Sequence, residues 1–98
     1  MPMEAIGEFC RKWGVAEFSI FGSVLRSDFG PDSDIDVLVS FDAGTRRGMF
    51  ELMRMEEDLK GVFGRDVDLL TRKGVEMSDN AERRQQILNS AEVLHVRR

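Results

Sequence analysis

Asp34 and Asp36 stand two apart at the start of the apolar run Asp-Ile-Asp-Val-Leu-Val-Ser-Phe, and Asp68 lies between Val67 and Leu69 in a second such run. Side chains alternate faces along a strand, so both carboxylates of Asp34-x-Asp36 point the same way while Ile35 turns inward. Two adjacent carboxylates repel unless something positive stands between them. A hard divalent cation such as Mg²⁺, which takes oxygen ligands and keeps positions open for substrate phosphates, is the natural occupant. Asp68, on a neighbouring strand, would bring a third carboxylate to the same face. Three acids can hold two metal ions about 3.5–4 Å apart, the arrangement that activates an attacking oxygen and stabilises a leaving one in phosphoryl or nucleotidyl transfer. Asp66 competes for the third place, being two residues away on the same face. Asp68 is preferred because Val67, Leu69 and Leu70 embed it, whereas Asp66 follows Arg65 at the strand's mouth.

Upstream, Gly22-Ser23 ends a short β-branched and aromatic segment. There the backbone can come close to an anion, and N–H groups plus a hydroxyl can point at nucleotide phosphates. Arg26, one turn further on, would put a guanidinium on the same face, suited to binding a phosphate oxygen.

The elements that must position these residues follow from periodicity. Ala5, Ile6, Phe9, Cys10 and Trp13 recur at helical spacing, which predicts a helix over Met3–Trp13 closed by Gly14. Val15–Phe21 reads as a strand, Ser23–Arg26 as a helical turn, 27–33 as a loop and Asp34–Phe41 as a strand buried on both faces. Met49–Phe63 carries Leu52, Met55, Leu59, Val62 and Phe63 at helical intervals. Met49, Met53 and Met55 read mostly as core, with Phe50 and Met53 off the main stripe and available to a partner. Arg65–Thr71 is a third strand, and Ser78–Ser90 a last helix capped by Ser78 or Asp79, with Val93–Val96 as a short extended tail. The expectation is an α+β fold, a small mixed sheet with helices packed on one side.

The 98 residues leave room for one domain, residues 1–98, and 42% hydrophobic content suits a small globular unit. The first dozen residues carry Glu4, Glu8, Arg11 and Lys12 where a signal peptide would be apolar, and no apolar run reaches the roughly 18 residues of a membrane span. One cysteine, Cys10, forms no internal disulfide, so a reducing cytoplasm is the expected compartment. A net charge of −4 argues against direct binding of nucleic-acid backbones.

Gly22-Ser23, ten intervening residues, Asp34-x-Asp36 and the later apolar-flanked Asp68 together resemble the signature of the DNA polymerase β nucleotidyltransferase superfamily. With the run Ser-Asp-Ile-Asp-Val-Leu-Val and the closing Arg-Gln-Gln-Ile-Leu-Asn-Ser-Ala-Glu-Val-Leu-His, the chain looks most like the minimal nucleotidyltransferases, antitoxin partners of HEPN-domain toxins. The resemblance runs from about Phe9 to Leu94 and implies a polymerase-β palm-like fold. It further implies Mg²⁺, two ions, on Asp34, Asp36 and Asp68, the ATP triphosphate on Gly22 and Ser23, and transfer of AMP to a tyrosine of a HEPN ribonuclease in a hetero-oligomer. Ser27 and Asp28 depart from the family's usual small turn former after Arg26, without removing a ligand. The alternatives are an antitoxin acting by binding alone, and a transferase acting on a small hydroxyl compound or an RNA end.

The chain contains no tyrosine, so a tyrosine acceptor belongs to another protein. His95 reads as a packing or surface residue, Cys10 as a small core residue, Arg46-Arg47 as a solvated turn and Arg83-Arg84 as helix surface.

Overall fold

A computed structural model describes residues 2–22, 34–45 and 47–96. The expected turn over Ser23–Arg26 and the loop over 27–33 lie outside these residues, as do Arg46 and the termini. In order, the chain forms α1 (Met3–Trp13), β1 (Val15–Phe21), β2 (Ile35–Phe41), α2 (Met49–Phe63), β3 (Val67–Thr71), α3 (Arg72–Glu76), α4 (Ala81–Ser90) and β4 (Glu92–Val96). No described helix is long and apolar enough to cross a membrane.

The sheet order is β3-β2-β1-β4. β1 runs antiparallel to both β2 and β4, whereas β3 runs parallel to β2. A parallel pair needs a crossover, and α2 supplies it. Mixed strand direction has a direct consequence for the site. The C-terminal end of β1 and the N-terminal ends of β2 and β3 meet at one end of the sheet.

Alternation along β2 divides the interior. Val37 and Val39 enter a core with Ile6, Phe9, Phe18, Met55 and Leu59, under α1 and α2. Phe9 of α1 meets Phe18 of β1 edge to face, ring centroids 5.9 Å apart. Leu38, facing the other way, joins Phe21, Val75 of α3 and Ile87 of α4 in a second cluster. The fold is thus the expected small mixed α+β sheet, but its helices do not all share one side: α1 and α2 take one face, while α3 and α4 cover part of the other. Leu38, Leu70 and Phe21 are apolar on that second face, and the end of the chain folds back to bury them.

Several boundaries shift for identifiable reasons. α3 was not expected: the Thr71 hydroxyl that ends β3 accepts the Gly74 N–H at 3.1 Å and caps a new helical turn. α4 starts at Ala81, capped by Asn80, whose side chain accepts the Arg83 N–H at 3.0 Å. Ser78 does not serve as the cap because its hydroxyl accepts the Asn80 N–H within the preceding turn. The extended tail is a true strand, β4, adding a fourth strand to the expected three. Met49, expected in the core, is 73% exposed, as are Phe50 at 82% and Met53 at 59%, since Met49 and Met53 share a stripe displaced from that of Met55 and Leu59.

Arg47 is no solvated turn residue. Its guanidinium donates twice to the Trp13 carbonyl, at 3.0 and 2.8 Å, pairs with Glu51 at 2.8 Å and lies over the Trp13 ring. The Trp13 indole N–H and the Lys12 ammonium, which also lies over that ring, both donate to Asp58. These bonds hold the Asp58 carboxyl below its ordinary value, while Arg47 and the Gly48 N–H do the same for Glu51. The cluster ties the approach to α2 onto the end of α1.

Candidate functional site

β1 ends at Phe21, and the ladder sets Phe21 directly across from Asp36, which in turn is the register partner of Asp68 on β3. Register partners present their side chains to the same face, so Asp36 and Asp68 lie side by side on strands about 4.8 Å apart. Both belong to the face that carries Leu38 and Leu70, one step beyond the apolar cluster, where the cover of α3 and α4 gives way to solvent. Asp36 is half-buried and Asp68 exposed.

Gly22 follows Phe21 with φ +72°, a left-handed conformation that disfavours any side chain. A Cβ placed there would collide with the Asp36 carboxylate Oδ2 and stand 3.2 Å from its Cγ. The carboxylate therefore lies directly against the Gly22 backbone, and only a residue without Cβ lets it do so. This close approach links two parts of the motif that are separated by fourteen positions in the chain.

Asp34 sits one residue before β2 and is exposed. The Ile35 N–H beside it bonds to the Asp66 carbonyl at 3.0 Å, so Asp34 and Asp66 occupy the entrances of the two parallel strands. Asp66 lies outside β3, whereas Asp68 lies within it, in register with Asp36. Ser23 and Arg26 fall outside the described residues. Among the described residues no three acidic, His or Cys side chains are gathered tightly enough to hold one metal ion. The described site thus offers an adjacent carboxylate pair, with Asp34 at its margin. The donor set is all oxygen, anionic and partly solvent-open, which fits a hard divalent cation that retains water and substrate ligands.

The remaining chemistry-bearing residues stand elsewhere. Cys10 is buried in the main core, where desolvation raises its thiol to about 11, so it is no nucleophile. His95 lies on β4 as the register partner of Phe18. The Arg84 guanidinium donates to the carbonyls of Glu76 and Ser78 between α3 and α4, a structural role in place of the expected bare helix surface. Sequence reading missed a cavity of about 460 Å³ beside β3, lined by Leu69, Leu70, Val75 and Ile87 together with Met49 and Met53 of α2. It depends on α3, which no periodicity announced.

Comparison with known proteins bears on this geometry. A solved structure of a "putative minimal nucleotidyltransferase" superposes with a TM-score of 0.70 and 32% identity, covering 92% of this chain and 86% of that one. A crystal structure of a toxin-antitoxin complex with AMP-PNP contains a chain of the same fold, TM-score 0.75 at 18% identity, over 100% of this chain and 76% of that one. Among curated sequences, "Putative protein adenylyltransferase MJ0435" of Methanocaldococcus jannaschii is 43% identical over 60 residues, 61% of this chain and 62% of the relative. Protein adenylyltransferase MntA of Thermococcus cleftensis is 32% identical over 68 residues, 69% of this chain and 67% of the relative. The alignments with these two relatives thus span about two thirds of their length. The sequence model of the nucleotidyltransferase domain matches residues 2–94, reaching across every strand that builds the acidic site, and the chain belongs to that family.

Proposed function

We propose that this chain is a Mg²⁺-dependent protein adenylyltransferase that moves AMP from ATP onto a tyrosine of a HEPN-domain toxin, acting as its antitoxin. The observation that carries the reading is the Asp36 carboxylate lying against the backbone of Gly22 on one side and in register with Asp68 on the other. That arrangement sets a backbone position without Cβ beside a carboxylate pair, which supports phosphate and metal meeting there. The names of the curated relatives support protein as the acceptor class. A further structure of this fold, a tri-AMPylated Shewanella oneidensis HEPN toxin with its MNT antitoxin, 18% identical to this chain, supports the partner.

In this reading Gly22 and Ser23 receive the β- and γ-phosphates, Arg26 adds a cation to them, and Asp34, Asp36 and Asp68 would hold two metal ions between them, no single ion by all three carboxylates. Mg²⁺ bound there supplies Lewis-acid polarisation of the α-phosphate and favours the deprotonated acceptor oxygen. The acceptor oxygen forms a bond to the α-phosphorus as the bond to the bridging oxygen of the β-phosphate breaks. Pyrophosphate leaves with that electron pair, and the hydroxyl proton passes to water. Gly22 contributes by exposing N–H at the triphosphate without a Cβ that would push Asp36 away.

The test is intact-mass spectrometry of the HEPN partner after incubation with this chain, ATP and Mg²⁺, with Asp36→Asn as control. The expected result is an AMP mass increment on the partner that vanishes with Asp36→Asn. A stable complex without any increment refutes transfer and favours inhibition by binding alone. Label appearing on RNA or a small hydroxyl compound instead refutes the acceptor class.

A further inference from the structure

We infer that the groove along the free edge of β3 seats the polypeptide segment of the partner that carries the acceptor hydroxyl; this rests on the protein-acceptor reading above. Displacement at phosphorus runs in line, with entering and leaving oxygens on opposite sides. In the proposed reading the leaving pyrophosphate belongs with Gly22, at the end of β1, on one flank of Asp36. The acceptor then approaches from the other flank. In the sheet order β3-β2-β1-β4 that flank is β3, which is an edge strand among the described residues.

The cavity stands there. Its volume of about 460 Å³ is that of a site taking one or two large side chains rather than a flat contact. Leu70 on its floor is two residues beyond Asp68 on the same face, about 7 Å along the strand. Val75 and Ile87 wall it on the side of α3 and α4, and Met53 faces them from α2. An aromatic or aliphatic residue lodged there would leave a neighbouring long side chain in reach of the carboxylates.

Exposure and charge extend the same assignment. Met49 and Met53, 73% and 59% exposed, continue the apolar wall outward, where methionine adapts its shape to a partner surface. Of the two arginines on the rim, Arg84 is engaged by the carbonyls of Glu76 and Ser78, which leaves the exposed Arg83 to meet an acidic residue of the incoming segment. Phe50, although 82% exposed, lines a neighbouring hollow with Lys12 and Trp13, which Met53 also borders, and forms no part of this groove.

The experiment is steady-state transfer of AMP to the purified HEPN partner, with kcat and partner KM measured separately, beside equilibrium binding of AMP-PNP to the chain alone. Three folded variants are compared, checked by circular dichroism: Met49→Glu with Met53→Glu, Arg83→Glu, and Phe50→Glu. The groove variants should raise the partner KM about tenfold or more, the effect of spoiling a buried contact centre, with AMP-PNP affinity unchanged. Phe50→Glu should leave KM unchanged. An unaltered KM in the groove variants, or an equal rise with Phe50→Glu, overturns the groove assignment while transfer itself stands. Absence of transfer by the unaltered chain overturns the adenylyltransferase reading, and the groove assignment with it.

Discussion

Replacing Gly22 by alanine tests whether the contact between backbone and carboxylate organises the site. Two costs separate cleanly because the chain provides its own control. Gly64, at the end of α2, has φ +70°, and a Cβ added there meets nothing within 4 Å. Alanine at Gly64 therefore incurs only the left-handed backbone cost, about 1–2 kcal/mol, reduced by about 0.4–1 kcal/mol because alanine also restricts the unfolded chain. The net loss is about 1 kcal/mol, a fall of roughly 4–8 °C in Tm for a domain of this size. Gly22→Ala carries the same backbone cost and in addition forces the Asp36 carboxylate out of its position. Driving one side chain off its rotamer adds about 1 kcal/mol, for a total near 2 kcal/mol.

The functional consequence should be larger than the thermodynamic one. Misplacing a reacting group by about 1 Å costs about a hundredfold in rate, so Gly22→Ala should lower AMP transfer to that extent while Gly64→Ala leaves it unchanged. Urea unfolding measures the stabilities and intact-mass time courses the transfer. A double-mutant cycle isolates the contact: in an Asp36→Ala background only the Asp36 Cβ remains, 3.6 Å from the added methyl, and the cost of Gly22→Ala should return to about 1 kcal/mol. Equal losses for the two glycines, with transfer unimpaired in both, would refute the reasoning that Gly22 exists to admit Asp36.

Asp68→Asn should abolish transfer with little change in unfolding midpoint, whereas Asp66→Asn, outside β3 and out of register with Asp36, should retain most of it; the reverse order in a mass assay would reassign the third acid. Leu59→Ala, at a fully buried position under β2, should cost about 2–5 kcal/mol by urea titration, enough to unfold much of a small domain. Asp58 is held below its ordinary value of 3.8 by Lys12 and Trp13, so the stability it contributes is complete above that value and disappears as pH falls through the lowered one. Asp58→Asn should accordingly flatten the acid limb of a stability–pH curve while leaving the shape near neutrality unchanged.

Much of this molecule was legible wherever local periodicity and burial agree. α1 and α2 match their expected bounds because Gly14 and Gly64 terminate strongly patterned helices, and β1 matches because a β-branched, aromatic run meets a glycine at each end. The unpredicted features depend on contacts made at a distance. No pattern distinguishes Thr71 as a strand's last residue from Thr71 as a helix cap. Its hydroxyl acts as a cap because Val75 has a buried place to go, against Leu38 and Phe21. Arg47 reads as a turn residue until α1 brings the Trp13 carbonyl to it, thirty-four positions away.

The acidic site shows the same division in a form that bears on function. Spacing alone states that Asp34 and Asp36 share a face, because the strand period is two. It does not state which neighbour each acid acquires, since that is decided by sheet order and register. The parallel β2–β3 pairing makes Asp68 the neighbour of Asp36, and the antiparallel β1–β2 pairing brings Gly22 to its other side. A one-residue slip of β3 would turn Asp68 to the opposite face and bury it under α2, a cost no unpaired carboxylate could sustain. Register at the site is therefore enforced by Val67 and Leu69, which belong with the core under α2. The residues that hold the third acid in place are the apolar ones on either side of it.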